Sequence, residues 1–358
     1  MAPETDPCAA AVDRLTAGIP PSRREAHDIV ETVFAGRGAV DAFGRWLTLL
    51  ADRPPDAEVI AGVAAAVRGR MVPVPHDLPL VADTCGTGGD GSDTFNISTA
   101  AAIVAAAAGL RVAKHGNRAV SSRTGSADVL ASLGVRIDAD AATSGRCLRE
   151  TGICFCLAPL HHPAMALVGP LRRSLGRPTV FNAIGPLCNP AGATVQVVGV
   201  GRPALREPLA LAAANLGVKR MLVVSGALAA DGTRSCDEVS VFGPTDVIDV
   251  RGGRLHPLRW EPADFGLARR AEADLAGLAV DGPEASAAII RRVLAGERGA
   301  AREMVAVNAA AVLWAAGHAA TPAEGCRLAL DTIDGGAAGA TLARLAAATH
   351  DSAWETGA

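Results

Sequence analysis

Tyrosine is absent from this 358-residue chain, and aromatic residues of all kinds make up 3% of it. Platforms that stack the bases of single-stranded nucleic acid therefore have almost nothing to be built from. Positive charge is not in excess either. With 34 basic against 37 acidic residues the net charge is −3, so no global basic field draws the chain to nucleic acid or an anionic membrane. Any bound polyanion must be held by a local site. Long apolar runs are missing too, since the most apolar stretches are alanine-rich and fall short of the roughly 20 residues that span a bilayer. The first residues, MAPETDPCAAAVDRLTAG, lack a basic segment followed by an apolar one, so no secretory signal is expected. The eight cysteines stand singly, without CxxC or Cys/His ligand spacing. That pattern argues against a zinc motif and fits reduced thiols in the cytoplasm, acting as small apolar residues. Lysine is nearly missing: Lys114 and Lys219 are the two among the 34 basic residues, so each merits separate attention.

What is present is a core-forming composition, 49% hydrophobic and 20% charged, long enough for two domains or one large domain with an appendage. Residues 22–36, 40–53 and 56–70 have helical apolar spacing, the last two split by Pro54 and Pro55. They are poor in catalytic residue types and read as a packing or oligomerisation module spanning residues 1–76. From residue 77 to 358 the texture is that of an α/β domain. Candidate strands at 78–82, 111–116, 153–158, 195–201 and 220–226 alternate with helical runs, which predicts a mostly parallel central sheet. VSVFG, DVIDV and RGGRL after Cys236 suggest an antiparallel extension, and the tail from Asp274 is helical.

Four segments carry the chemistry. DTCGTGGDGSDTFNIST (83–99) holds four glycines between two apolar runs. A glycine-rich strand-to-helix loop lets backbone N–H groups and a helix N-terminus cradle an anion, and ligands of α/β sheets bind at such loops. Asn96, Ser98 and Thr99 stand at the helix start, free to cap it or to reach a phosphate. The order of residues fits neither GxxxxGK[ST] nor GxGxxG with a ribose-binding acid, which argues against nucleoside triphosphates and NAD. AKHGNRAVSSRTGSADVL (113–130) is a second such loop, with Lys114 directly after a β run; His115 taken alone is an ordinary loop residue. Lys219, beside Arg220 at a helix-to-strand junction, reads as solvated. HHPAMALVGPLRRSLGRPTVFNAIGPLCNP (161–190) offers Arg172 and Arg173, either of which could fork onto a carboxylate, although solvation is the ordinary fate of each. Asp237 and Glu238 are plain surface charge unless a pyrophosphate lies beside them, in which case they suit Mg²⁺. No nucleophile–base pair stands out, and the set suits group transfer by positioning and electrostatics.

Taken in order over nearly the whole chain, GTGGDG…TFNIST, KHGNR..SS..GSADVL, HPAM…RR..G..T.FN..GPL.NPA, DE, PADFGL (262–267) and VNAAAVLWAAG (307–317) closely resemble the anthranilate phosphoribosyltransferases. The resemblance implies a pyrimidine nucleoside phosphorylase-like fold, a small helical domain joined by a later helix near 163–176, and a homodimer through that domain. It also implies transfer of phosphoribosyl from PRPP (5-phosphoribosyl 1-diphosphate) to the amine of anthranilate, in tryptophan biosynthesis, with two Mg²⁺ ions. PRPP contacts would come from Gly86, Gly89, Asp90, Thr94, Asn96, Ile97, Ser98 and Thr99 in the first loop, and from Lys114, Ser122 and Ser126 in the second. Ser98, Asp237 and Glu238 would hold metal. Gly86, Asn117, His162 and Arg172 would line the anthranilate site, with His115 nearby; no residue is assigned as an acid or base apart from His115 as a candidate. The chain departs from the family pattern in a longer segment before Asp237, in Ser235 and Cys236 where Gly-Leu is usual, and in Ala166 where a basic residue is usual. Three alternatives stay open: a paralogue acting on a substituted aromatic amine acid, a nucleoside phosphorylase-like enzyme, and a non-catalytic nucleotide-binding relative.

Overall fold

The computed structural model of the protein describes residues 6–119, 123–229 and 234–351. Four helices come first: α1 (Pro7–Thr16), α2 (Arg23–Phe34), α3 (Val40–Ala51) and α4 (Ala57–Gly69). Local chemistry sets their starts. Asp6 accepts from the Cys8 N–H ahead of α1, Ser22 and Glu25 form a reciprocal capping box on α2, and Asp56 accepts from two N–H groups of α4. Packing between α2 and α4 is tight enough that a Cβ on Gly62 would collide with the Arg23 carbonyl.

The sheet and its helices follow: β1 (Ala82–Gly86), α5 (Ile97–Ala107), β2 (Val112–Gly116), α6 (Ser126–Ser132), α7 (Ala141–Glu150) and β3 (Ile153–Leu157). Next come α8 (Ala158–His161), α9 (Gly169–Leu175), α10 (Phe181–Ile184), β4 (Val195–Gly199), α11 (Arg206–Asn215) and β5 (Arg220–Ala227). The two-residue β6 (Ser235–Cys236) leads to the hairpin β7 (Thr245–Arg251) and β8 (Arg254–Trp260), and the chain finishes with α12 (Pro283–Leu294), α13 (Ala300–Ala315), α14 (Pro322–Asp334) and α15 (Ala337–His350).

Strand order is β3-β2-β1-β4-β5-β7-β8, with β6 on β5. The first five strands are parallel and the last two antiparallel. The chain winds outward from β1 to β3, then returns to lay β4 on the other side of β1. That reversal puts a switch point, and the crevice that goes with it, at the carboxyl ends of β1 and β4. The central strands are buried on both faces, and successive side chains alternate between two cores. Val195, Val197, Leu222 and Val224 face a core that includes α5 and α13, whereas Val198, Val200, Met221 and Val223 face a core shared with α1 to α4 and α11.

Several sequence expectations shift. The first strand is not 78–82 but Ala82–Gly86. Pro79 has no N–H to give a ladder, and the strand runs instead through Asp83 and Thr84, both buried, because neighbours satisfy their polar atoms. VSVFG is not a strand; Ser240 instead turns the chain, its Oγ donating to the Ala227 carbonyl at 2.6 Å and accepting from the Phe242 N–H at 3.0 Å. The helix expected near 163–176 is a 3₁₀ turn (Pro163–Leu167) followed by α9, and α9 packs on α3, where Leu171 lies against Gly44.

Candidate active site

The carboxyl ends of β1 and β2, the N-terminus of α5 and the residues after β6 enclose a cavity of about 430 Å³. Its rim is the loop between β1 and α5, in which Gly88, Gly89 and Gly91 all take φ between 65° and 75°, a region that glycine enters without steric cost. Gly86 is required for a different reason: a Cβ there would strike the Asp237 carboxylate. The two loops are tied together by Asp93, whose carboxylate meets Arg123 Nε at 2.9 Å.

Lys114 is the buried one of the two lysines, 3% exposed, whereas Lys219 is exposed. Its Nζ donates to the Thr84 carbonyl at 2.7 Å and to Ser98 Oγ at 3.3 Å, so the ammonium reaches the start of α5. A buried ammonium needs a counter-charge. Asp83, fully buried, supplies one, and it accepts from Asn189 Nδ2 at 2.8 Å and the His115 N–H at 3.3 Å. Burial pushes its carboxyl up from the ordinary range while Lys114 and these hydrogen bonds pull it back.

The acids stand opposite. Glu238 Oε1 accepts from the Ser98 N–H at 3.0 Å, capping α5, and Asp237 Oδ2 accepts from the Gly88 N–H at 2.9 Å. Asp90 Oδ2 accepts from the Asp237 N–H at 3.3 Å. Burial, followed by the neighbouring Asp90, raises Asp237 to about 7. Burial and the charge of Asp237 raise Glu238 well above the carboxylate range, with Lys114 opposing. The adjacent carboxylates Asp237 and Glu238, with Lys114 near Glu238, offer the hard oxygen donors and the excess negative charge that a hard cation fits. No group of three or more acidic, histidine or cysteine side chains able to hold a metal is found among the described residues. A cation here would therefore take further ligands from substrate and water.

Asn96 does not cap α5. Its Oδ1 accepts from Thr124 Oγ at 3.0 Å and Ser286 Oγ at 2.9 Å, and Ser286 Oγ also accepts from its N–H at 3.0 Å. Thr99 Oγ is buried with no protein partner among the described residues. Gly89, Thr94, Ile97 and Ser126 line the same cavity; Ser122 lies outside the described residues, as does part of the longer segment before Asp237 (230–233).

Of the residues expected at an acceptor, Gly86 and Asn117 line the cavity. His115 and His162 contact each other, Nε2 to Nε2, at 3.2 Å, and His115 Nδ1 lies 3.2 Å from the Gly185 carbonyl, to which it donates. Burial above all lowers the first to about 3 and the second to about 4, so both are neutral at pH 7. Arg172 stands apart from the cavity lining, half-buried, its guanidinium 5.4 Å from the centre of the Phe181 ring. Arg173 is exposed. Arg172 has no carboxylate partner among the described residues, and burial lowers its pKa. Asp83, Asn189 and Ser286 were not identified in the sequence. An aspartate inside an apolar strand was the available signal for the first; the other two are recognisable only through their contacts.

Residues 78–339 match a family model described as glycosyl transferase family, a/b domain. Over 92% of its length the chain is 47% identical to anthranilate phosphoribosyltransferase 2 of Streptomyces coelicolor, covering 96% of that protein. The fold superposes on the crystal structure of anthranilate phosphoribosyltransferase (TrpD) from Thermus thermophilus with a TM-score of 0.86 at 39% identity, over 95% of this chain and 99% of that one. The anthranilate phosphoribosyltransferase of Saccharomyces cerevisiae in complex with PRPP and Mg gives 0.84 at 28% identity, over 96% and 97% of the two chains. The yeast enzyme in complex with 4-fluoroanthranilate gives 0.82, with the same identity and coverage.

Proposed function

The chain belongs to the anthranilate phosphoribosyltransferase family, and from that premise we propose how its own residues carry the reaction. The enzyme transfers phosphoribosyl from PRPP to the amine of anthranilate, giving N-(5-phosphoribosyl)anthranilate and diphosphate, in tryptophan biosynthesis. The observation that carries the assignment of roles is the convergence of the glycine loop, Lys114 and the two acids on one cavity. The backbone of Gly86 and Gly89, the Asn96, Ser98 and Thr99 side chains at the start of α5, and Lys114 hold the diphosphate and ribose phosphate, with Asp90, Thr94, Ile97, Ser122 and Ser126 completing the cradle. The orphaned Thr99 hydroxyl gains a partner there.

Asp237, Glu238 and Ser98 would hold Mg²⁺, in two ions, because the adjacent acids face two ends of the β1–α5 connection: Asp237 the Gly88 N–H in the loop, Glu238 the Ser98 N–H at the start of α5. Bound magnesium supplies neutralisation of the leaving diphosphate. As the bond to diphosphate breaks, positive charge grows on the ribosyl carbon, and the chain's contribution is to hold the donor still and present the amine from the opposite side. An aniline nitrogen is unprotonated at neutral pH, so no strong base is required at the outset. His115 lines the cavity, but with Nδ1 on the Gly185 carbonyl, Nε2 against His162 and its pKa lowered to about 3 it is a poor proton acceptor, and the proton the amine loses leaves to diphosphate or water. Arg172 binds the acceptor carboxylate, gaining the anionic partner that its half-buried guanidinium lacks among the described residues, with Asn117 and His162 lining the approach.

We further propose a cytoplasmic homodimer. Every cysteine is free, as in a reducing compartment. A groove of about 440 Å³ crosses the helical face beside Gly44, Leu49, Leu171 and Leu175, and Val40 and Leu167 are each 57% exposed nearby on α3 and before α9. The test of the activity is loss of anthranilate fluorescence with PRPP and Mg²⁺, alongside hydroxylated anthranilates and aminobenzoates. Turnover of anthranilate is expected. Turnover of a substituted analogue alone would keep the reaction class and overturn the acceptor.

A further inference from the structure

The segment VNAAAVLWAAG forms most of α13, which is buried over nearly its whole length, and none of its residues lines the cavity. One of them is polar where everything around it is apolar. Asn308 is 2% exposed, and its carboxamide faces not another helix but the main chain of the residue that follows the acid pair. Asn308 Oδ1 accepts from the Val239 N–H at 2.9 Å, and Asn308 Nδ2 donates back to the Val239 carbonyl at 2.9 Å. The second hydrogen of Nδ2 goes to the Met304 carbonyl of its own helix at 2.8 Å, which fixes the amide plane.

The reciprocal pair has a physical rationale. Residues 237–240 cross the carboxyl ends of β1, β4 and β5 without being a strand themselves, so no sheet ladder satisfies Val239. The helix beside it has spent its own backbone groups internally. A side chain with a donor and an acceptor at once is needed, and the carboxamide is the one that offers both in strand-like geometry. Beneath, the floor is shaved flat: a Cβ on Gly199 would collide with the Asp237 carbonyl and one on Gly226 with the Glu238 carbonyl. Glu238, Ser98, Thr84 and Asn308 line one small void, so the clamp lies directly against the acid it would steer.

We propose that Asn308 is a positioning residue for the acid pair: by clamping Val239 from both sides it fixes the height and direction at which Asp237 and Glu238 enter the PRPP cavity. The proposal rests on the reading of those acids as holders of Mg²⁺ with PRPP. Outer groups that orient metal ligands typically change metal affinity about 10- to 100-fold, and the clamp acts one residue from the ligand.

The test is equilibrium binding of Mn²⁺, followed by its electron paramagnetic resonance signal, in the presence of PRPP and without anthranilate, so that no turnover enters the readout. Wild type, Asn308→Ala, Asn308→Ser and Ile333→Val are compared. Ile333 is a buried α14 residue outside the cavity, and its variant controls for a general loss of stability. Asn308→Ala should bind Mn²⁺ roughly 10- to 100-fold more weakly and exchange the Val239 amide hydrogen faster. Its KM for anthranilate should stay within twofold. Asn308→Ser, which has no second polar atom to close the clamp, carries the same expectation and the test if the alanine variant does not fold. Binding by both Asn308 variants within twofold of wild type would overturn the proposal, as would an equal weakening in Ile333→Val. Absence of Mn²⁺ binding by wild type would overturn the metal reading of the acids, and this proposal with it.

Discussion

Lys114 and Asp83 are buried groups of opposite charge that influence each other through space and serve different ends. Lys114 directs its ammonium at the start of α5, where a diphosphate would lie; Asp83 stays on the strand and answers Asn189 and the His115 N–H. Replacing Lys114 by Ala removes charge-assisted hydrogen bonds of about 1.5–3 kcal/mol each. The PRPP half-saturation should rise roughly 10- to 100-fold in steady-state kinetics, while that for anthranilate moves little. Asp83→Ala removes a nearby counter-charge to Lys114 and leaves the Asn189 and His115 donors without this acceptor inside the protein. A loss of about 1–3 kcal/mol per unanswered donor is expected, read from urea unfolding, and Asp83→Asn should lose less because it still offers an acceptor to the His115 N–H. The histidine pair makes a pH statement. Both pKa values are depressed in the folded state, to about 3 and about 4, so the stability they contribute is present above about 6.5 and is lost as pH falls from there towards 4 and 3. Unfolding midpoints measured from pH 7 to pH 4 should fall, and His162→Asn should flatten that fall.

Among the elements, the strap of residues 237–240 decides whether the acids are usable. Its path over Gly199 admits no side chain, so Gly199→Ala should displace Asp237 and lower the melting temperature, with PRPP giving less thermal protection than in wild type. The strap also carries a proton. Asp237 is raised to about 7 by burial and Asp90. Its stabilising contribution is thus complete below about 4 and lost as pH rises through about 7. A cation that replaces the proton gains what the proton loses. The rise in melting temperature on adding Mg²⁺ with PRPP is therefore expected to be larger at pH 8 than at pH 6, and a larger rise at pH 6 would contradict it. Helix starts and glycine turns at this scale were legible in advance: α2, α3 and α4 fall within the ranges expected from spacing and capping residues. The first strand was misplaced by four residues because apolar runs mark buried strands only when the polar residues beside them stay outside. Here Asp83 and Thr84 are drawn in by Asn189 and Lys114.

For the molecule as a whole, one face of the sheet shares its core with α1 to α4 and α11, and the other with α5 and α13. That sharing places the helical segment beside the switch point. Arg220 reinforces the assembly from outside the site, with Nε and Nη2 on the two oxygens of buried Asp249 at 3.2 and 3.0 Å and its guanidinium 4.3 Å from the centre of the Trp314 ring. If the groove beside Leu171 is the contact between two copies, Leu171→Glu should shift sedimentation from dimer to monomer. Retention of the dimer would place the contact elsewhere.

The sequence by itself determined the family and the segments that meet in the glycine-loop cavity, because glycines with positive φ, the residues at a helix start and a solitary lysine after a β run act locally and in a fixed order. Only the tertiary structure decided that Arg172 stands apart from the cavity lining, that Asn96 is held by Thr124 and Ser286 rather than capping its helix, and that Glu238 meets Ser98 across 140 positions of chain. Local pattern cannot specify such meetings. They follow from the order of strands in the sheet, which lays β4 beside β1 and so brings the strap to the mouth of the first loop.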